Sequence, residues 1–292
     1  MKTFRLGLEW FLNPDHLPFL IGREQGWFAE AGLNLQLVEP AAHFDAFEAL
    51  VSGELDAAIT EPIHLVEDRA KGRDLQGYAR FLHTNGGVMY FAESGITRPR
   101  DMAGKRLQYP GAPGPGGPAI IDTMVEADGG TPIPMVPVNN GFKHTEALME
   151  GQADLATLVF YNFEVIEARS LGKDARFFAL KDWGVPDFCQ LIIVAPPNMD
   201  RASHTALVKV LQRGIDFIHQ RPEEARQTYF RVTESDPDDP LMKAIFEATV
   251  SCFTFDFDMS EYYYANLASW MKARGLTPLD AEVGHCWRHD FA

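Results

Sequence analysis

Glu61 and His64 stand three residues apart in Glu61-Pro62-Ile63-His64, just after an apolar run that reads as a buried strand. A carboxylate and an imidazole at such a strand end can hydrogen-bond a bound molecule or exchange protons with it. The plainer reading makes Glu61 a first-turn acid favoured by the helix dipole and His64 a packed residue at the helix start. Leu8-Glu9-Trp10 closes another expected strand, with His16 close behind. Trp10 with Glu9 and His16 can form an aromatic wall with polar tips, as a flat heterocycle needs, unless Trp10 is core. In the second half, Tyr161 and Asn162 follow an apolar run as Glu61 and Pro62 follow theirs, which makes them candidates for a facing wall. Phe188 and Cys189 precede a further apolar strand and can line the same cleft. No activating base for Cys189 is readable, so it is not expected to act as a nucleophile.

The segment 110–118, Pro110-Gly111-Ala112-Pro113-Gly114-Pro115-Gly116-Gly117-Pro118, lies between an expected strand and helix. The N–H groups around Gly114 and Gly116 can hold an anion at the helix start. Four prolines remove donors and no lysine or arginine lies in the loop, which weakens a phosphate site and leaves a plain rim loop as the alternative. The Gly-Lys-Ser/Thr ending of a nucleotide-binding loop is also missing. His285-Cys286-Trp287-Arg288-His289 has no second cluster at ligand spacing, so no metal is expected. The acidic run 234–239 lacks calcium-loop spacing and reads as a solvated turn.

These residues need elements to hold them. Glu48-Ala49-Leu50-Val51-Ser52-Gly53-Glu54-Leu55-Asp56 returns as Glu146-Ala147-Leu148-Met149-Glu150-Gly151-Gln152-Ala153-Asp154. Each copy reads as a helix stopped by glycine, a tight turn and a buried strand, as expected when two lobes reuse one βα solution. Strands are expected at 3–10, 33–39, 56–60 and 75–82, alternating with helices at 16–25, 44–52 and 63–71, with Asp15 as the cap of the first. A crossing strand at 88–92, strands at 106–109 and 135–138, a helix at 119–127 and a return strand at 190–195 form a second series. The remainder reads as helices at 203–221, 222–231, 240–252 and 260–274. The expectation is an α/β protein with two mainly parallel sheets flanked by helices: lobe 1 from 1–87 plus 196–292, and lobe 2, inserted, from 88–195. Ligands are expected at the strand carboxyl ends, in a cleft between the lobes.

The chain has 292 residues, 46% of them hydrophobic, and a formal charge of −15, which argues for a folded protein and against nucleic acid or anionic membrane as a partner. No run reaches the roughly 20 apolar residues of a membrane span. Three scattered cysteines make no disulfide framework, and the start of the chain does not read as a secretory signal, so a cytoplasmic protein is expected, or a periplasmic one if a leader has been removed.

Leu8-Glu9-Trp10, Pro14-Asp15-His16-Leu17-Pro18, the segment 25–33 (Gln-Gly-Trp-Phe-Ala-Glu-Ala-Gly-Leu), the Ser52-Gly53-Glu54-Leu55-Asp56 turn and Glu61-Pro62-Ile63-His64 resemble the thiamine-pyrimidine family. Ser94-Gly95-Ile96-Thr97, the stretch 101–106 and the glycine-rich loop extend the match over residues 4–195. That family joins bacterial formylaminopyrimidine-binding proteins of ABC importers to the fungal thiamine-pyrimidine synthase, with alkanesulfonate binders as distant kin. The resemblance implies the two-lobed type II periplasmic-binding-protein fold, with the C-terminal helices on lobe 1. In the fungal synthase a lysine holds pyridoxal phosphate, a histidine four residues on is consumed as substrate, and a cysteine-rich run is thought to engage iron. His64 lies at the position similar to that histidine, but Thr60 replaces the lysine, and the segment 184–189 keeps only Phe188-Cys189 of the run. Synthase activity is therefore disfavoured, and no cofactor is expected. The leading expectation is a protein that closes two lobes on a small thiamine-pyrimidine-like heterocycle without covalent chemistry, with an ABC importer as partner if it is exported. The alternatives are an enzyme using His64 or Glu61 as its acid-base group, and a regulator of thiamine-related genes.

Overall fold

The computed structural model describes residues 1–40 and 46–291. Two compact units share the chain: residues 1–83, 190–268 and 280–292 form unit 1, and residues 84–189 with 269–279 form unit 2.

Unit 1 is built on the strands β1 (Lys2–Gly7), β2 (Leu33–Val38), β3 (Ala57–Thr60), β4 (Gln76–His83) and β10 (Gln190–Ala195), in the order β2-β1-β3-β10-β4. Helices α1 (Leu17–Glu24), α2 (Trp27–Glu30), α3 (Ala46–Val51), α4 (Pro62–Ala70), α8 (Arg201–Gln220), α9 (Pro222–Thr233) and α10 (Pro240–Val250) accompany it. The expected start of α3 at Phe44 lies outside the described residues. Unit 2 is built on β5 (Gly86–Phe91), β6 (Arg106–Gln108), β7 (Val136–Val138), β8 (Leu155–Phe160) and β9 (Ala175–Ala179), in the order β7-β6-β8-β5-β9. It carries α5 (Gly116–Ala127), α6 (His144–Met149) and α7 (Ile166–Ser170), and the end of α11 (Glu261–Ala273) is counted with it.

The βα alternation accounts for the parallel pairs β1–β2, β1–β3, β6–β7 and β6–β8. Both sheets are mixed, because β10 runs antiparallel to β3 and β4, and β5 runs antiparallel to β8 and β9. β10 is buried along its whole length, as its apolar sequence requires, and belongs to the first sheet. Phe4, Leu6 and Leu8 of β1 and the following residue pack with Phe19, Leu20, Leu207 and Leu211 in the core of unit 1.

The repeated sequence is a repeated tertiary device. Gly53 and Gly151 take φ of 77° and 67°, the left-handed turn that ends each helix and that a side chain would disfavour. Three residues on, Asp56 and Asp154 reach the neighbouring parallel strand. The Asp56 carboxylate accepts from the Arg5 backbone N–H (2.8 Å) and from its Nε (3.0 Å). Asp154 accepts from the Arg106 N–H (2.9 Å), Nε (3.2 Å) and Nη2 (2.7 Å). The backbone returns each bond, Asp56 N–H to the Arg5 carbonyl and Asp154 N–H to the Arg106 carbonyl, at 2.9 Å in both. Each copy thus clamps a helix-turn-strand to the strand beside it through charge-assisted bonds.

Candidate functional site

In unit 1 the chain leaves β1 and β3 side by side. Leu6 and Gly7 pair with Ala57 and Ala58, so Glu9 and Trp10 follow β1 where Glu61 follows β3, at the carboxyl ends of adjacent parallel strands. After β1 the chain turns through Asn13, whose side chain accepts from the Asp15 N–H at 2.8 Å and caps the short helix Pro14–His16. The expected cap was Asp15; Asn13 wins because its carboxamide oxygen reaches a backbone donor two residues on.

That cap fixes His16, which is completely buried, as is Asn13. The Asn13 N–H donates to His16 Nδ1 (3.3 Å), which leaves Nε2 to carry the proton and donate to Glu9, whose two oxygens both lie at 3.1 Å. Glu9 is therefore held from behind by a buried ring. Trp10 is half-buried and lies 4.2 Å from Phe11, ring centre to ring centre.

Glu61 precedes α4 in extended backbone, with Pro62 at the first helical position. Its side chain is 16% exposed, and its nearest ionic partner is His64 Nε2 at 3.8 Å. Burial pushes the Glu61 carboxyl up to about 7, His64 opposes the rise and the Glu9 carboxylate adds to it. His64 itself is 58% exposed, with Nδ1 3.6 Å from Glu67. Desolvation disfavours its charged form, but the close Glu67 carboxylate and those of Glu61 and Asp68 outweigh it, so its pKa is raised. Glu9, Trp10, His16, Glu61 and His64 therefore collect at one edge of one unit.

The candidates of unit 2 are placed differently. Tyr161 is half-buried against Phe177, and its hydroxyl accepts from Arg169 at 2.9 Å. Asn162 is buried and accepts from the Thr84 hydroxyl at 2.6 Å. Both stand on a π-helical turn, Tyr161–Val165, reached through Leu158, which takes φ of 62° where β8 bulges against β5. A positive φ at a leucine followed by a π-turn is stored strain of the kind that gathers at functional sites. Glu164 anchors the turn by accepting the Phe160 N–H at 2.9 Å. Phe188 and Cys189 are buried; Phe188 lies over Trp270 at 6.3 Å, and the Cys189 Sγ fills the space a Cβ on Gly86 would need. Gly114 and Gly116 lie half-buried on a loop tied down by Tyr109, whose hydroxyl donates to the Gly114 carbonyl at 2.6 Å.

Sequence reasoning missed Asn13, Thr84 and Glu164, and it missed His144, a buried histidine whose ring nitrogens make no hydrogen bond among the described residues, with Glu164 4.0 Å from Nε2, and whose pKa burial lowers to about 4. An Asn-Pro-Asp turn signal was present for Asn13. The others depend on contacts distant in sequence. Cys286 is buried with its thiol pushed up to about 12, while Trp287 and His289 both donate to Asp258 (2.7 and 2.9 Å), so this C-terminal run anchors the chain end. Among the described residues, no group of three His, Cys, Asp or Glu is arranged to hold a metal. In the acidic run, Asp239 caps α10 by accepting from the Leu241 N–H.

Pyridoxal phosphate does not fit the residues present. Thr60, the last residue of β3, offers a hydroxyl that cannot form a Schiff base, and the loop 110–118 has no cation for a phosphate. No helix among the described residues is long and apolar enough to cross a membrane.

A family model described as NMT1/THI5 like matches residues 13–225. The chain is 26% identical over 255 residues to the formylaminopyrimidine-binding protein of Halalkalibacterium halodurans, covering 86% of this chain and 76% of that one. It is 28% identical over 296 residues to the 4-amino-5-hydroxymethyl-2-methylpyrimidine phosphate synthase of Legionella pneumophila, covering 97% and 90%. Among solved structures, the alkanesulfonate-binding protein SsuA of Xanthomonas axonopodis pv. citri, bound to MOPS, superposes with a TM-score of 0.74 at 16% identity over 99% of both chains. The fold is thus the two-lobed type II periplasmic-binding-protein fold.

Proposed function

Because the chain belongs to the NMT1/THI5-like family, we propose that it binds a small thiamine-pyrimidine-like heterocycle without covalent chemistry. The observation that carries the reading is the edge at the carboxyl ends of β1 and β3, where Glu9 and the half-buried Trp10 follow one strand and Glu61 follows its neighbour. An aminopyrimidine offers a flat face for the indole and N–H donors for the carboxylates. The likeness to the formylaminopyrimidine-binding protein of Halalkalibacterium halodurans supports this ligand class. None of the three cysteines is joined in a disulfide, which is in keeping with a cytoplasmic carrier or sensor. Recovery from a periplasmic fraction would instead point to an ABC importer as its partner.

The test is a thermal-shift screen of the purified protein against 4-amino-5-hydroxymethyl-2-methylpyrimidine, its formylamino analogue, pyridoxal phosphate, flavins, alkanesulfonates and ferrous iron. Ligand at 100 times its Kd adds about 2.7 kcal/mol to the native state. A shift with pyrimidines alone is expected; a shift with sulfonates alone, or with pyridoxal phosphate, overturns the reading.

One observation favours a second reading, an enzyme acting on the same molecule. Glu61, titrating at about 7 and 3.8 Å from His64, suits general acid-base work near neutrality. Turnover of a bound pyrimidine that His64→Ala abolishes while binding persists would establish it, and recovery of the pyrimidine unchanged would exclude it.

A further inference from the structure

We infer that the wall of unit 1 selects its ligand by charge: Glu9 and Glu61 admit a neutral or cationic heterocycle bearing N–H donors and reject the same heterocycle once it carries a phosphate or sulfonate, and His16 is the positioning residue that aims Glu9. The inference rests on the binding reading above and names the chemical class that the site takes.

Four observations carry it. Glu9 and Glu61 follow neighbouring parallel strands, so their charges face one region. Glu61 has only 16% of its side chain exposed, and its carboxylate accepts no hydrogen bond among the described residues, with His64 at 3.8 Å too far to donate. A mostly desolvated carboxylate without donors calls for donors from a ligand. Glu9 is fixed by a satisfied buried network, in which the Asn13 N–H occupies one nitrogen of the fully buried His16 and the other faces both Glu9 oxygens at 3.1 Å. Among the described residues, neither Glu9 nor Glu61 has a lysine or arginine within 4.0 Å; histidines are their only ionic partners.

The glycine-rich loop, the anion-binding candidate read from the sequence, is itself poor in donors and charge. Four of the nine residues in 110–118 are prolines without an N–H, and none is cationic. The Gly114 N–H is already spent on the Gly111 carbonyl at 2.8 Å. A like charge about 5 Å from one carboxylate weakens binding on the order of 100-fold at an effective dielectric constant of 20. The inferred preference is opposite in charge to the MOPS sulfonate in the Xanthomonas structure, so fold likeness and site charge make different predictions.

The experiment is isothermal titration at pH 7.5 with 4-amino-5-hydroxymethyl-2-methylpyrimidine, its phosphate ester, MOPS and a cationic heterocycle unrelated to pyrimidine. It uses the wild-type chain, Glu9→Gln, Glu61→Gln, the double variant, His16→Leu and His16→Gln. The wild type should bind the free pyrimidine at least about 100-fold more tightly than the ester, and the double variant should bring the two within about tenfold. His16→Gln, which keeps a donor towards Glu9, should preserve most of the discrimination that His16→Leu loses; a purely structural role would lower stability without changing the ratio. Should His16→Leu not fold, the Glu9 and Glu61 variants still decide the matter. An ester that binds the wild type within tenfold of the free pyrimidine overturns the inference while the binding reading stands. The unrelated cation binding where no pyrimidine does overturns the binding reading and supports charge selection. MOPS binding alone, or no binding at all, overturns both.

Discussion

Replacing Glu61 with glutamine should make the protein more stable at alkaline pH while weakening its ligand. In the folded chain burial lifts this carboxyl from 4.5 to about 7, so the native state holds a proton that the unfolded chain has already released. Stability from this group is therefore greatest below pH 4.5, falls as pH rises through the interval from 4.5 to 7, and is lowest above it. A shift of about 2.5 units corresponds to roughly 3 kcal/mol of strain carried by the ionised native state. With an unfolding entropy of about 2.1 cal/mol/K per residue over the chain, removing that strain raises Tm by about 5 °C. Glu61→Gln keeps the shape, removes the charge, and should match the wild type at pH 4.5 while exceeding it increasingly from pH 6 to 8. Scanning fluorimetry across that range reads the difference directly. A Tm difference that does not change with pH, or a variant less stable at pH 8, would refute the reasoning.

Other substitutions test the framework and the site separately. Asp154→Ala should cost about 2 kcal/mol by stripping Arg106 of its charge-assisted partner. Because Arg106 holds the Asp154 pKa below 3.8, this contribution is present above pH 3.8 and lost as pH falls through the folded value, so urea midpoints of variant and wild type should converge in acid. Asn13→Ala should cost about 1 kcal/mol through the lost cap and also weaken pyrimidine binding as His16 loosens, which paired melting and titration would show. Gly86→Ala should cost about 1–3 kcal/mol, since its Cβ would meet the Cys189 Sγ, and Cys189→Gly should restore part of the loss in the double variant's urea curve.

Much of the framework is legible because it is local. The Glu-Ala-Leu run, the glycine and the aspartate of each repeat announce helix, turn and strand, and the four long C-terminal helices fall within a few residues of the expected spans. What the repeat is for is not legible, because Arg5 and Arg106 reach Asp56 and Asp154 across a sheet from distant points in the chain. The antiparallel character of β5 and β10 is hidden for the same reason: an apolar run carries no direction. β9 escapes notice because Ala175-Arg176-Phe177-Phe178-Ala179 is short and lacks clean alternation. In the site, Glu9, Trp10, His16, Glu61 and His64 can be listed from their places after strands. That His16 backs Glu9, that Glu61 lacks donors, and that Leu158 and a π-turn carry Asn162 all depend on packing.

The most direct test of the account is titration of the wild-type protein with 4-amino-5-hydroxymethyl-2-methylpyrimidine at pH 7.5, followed by mass spectrometry of the released ligand. The account predicts saturable one-to-one binding, loss of affinity in Trp10→Ala and Glu61→Gln, and a pyrimidine recovered chemically unchanged. Absence of binding, or a pyrimidine converted to another compound, would contradict it.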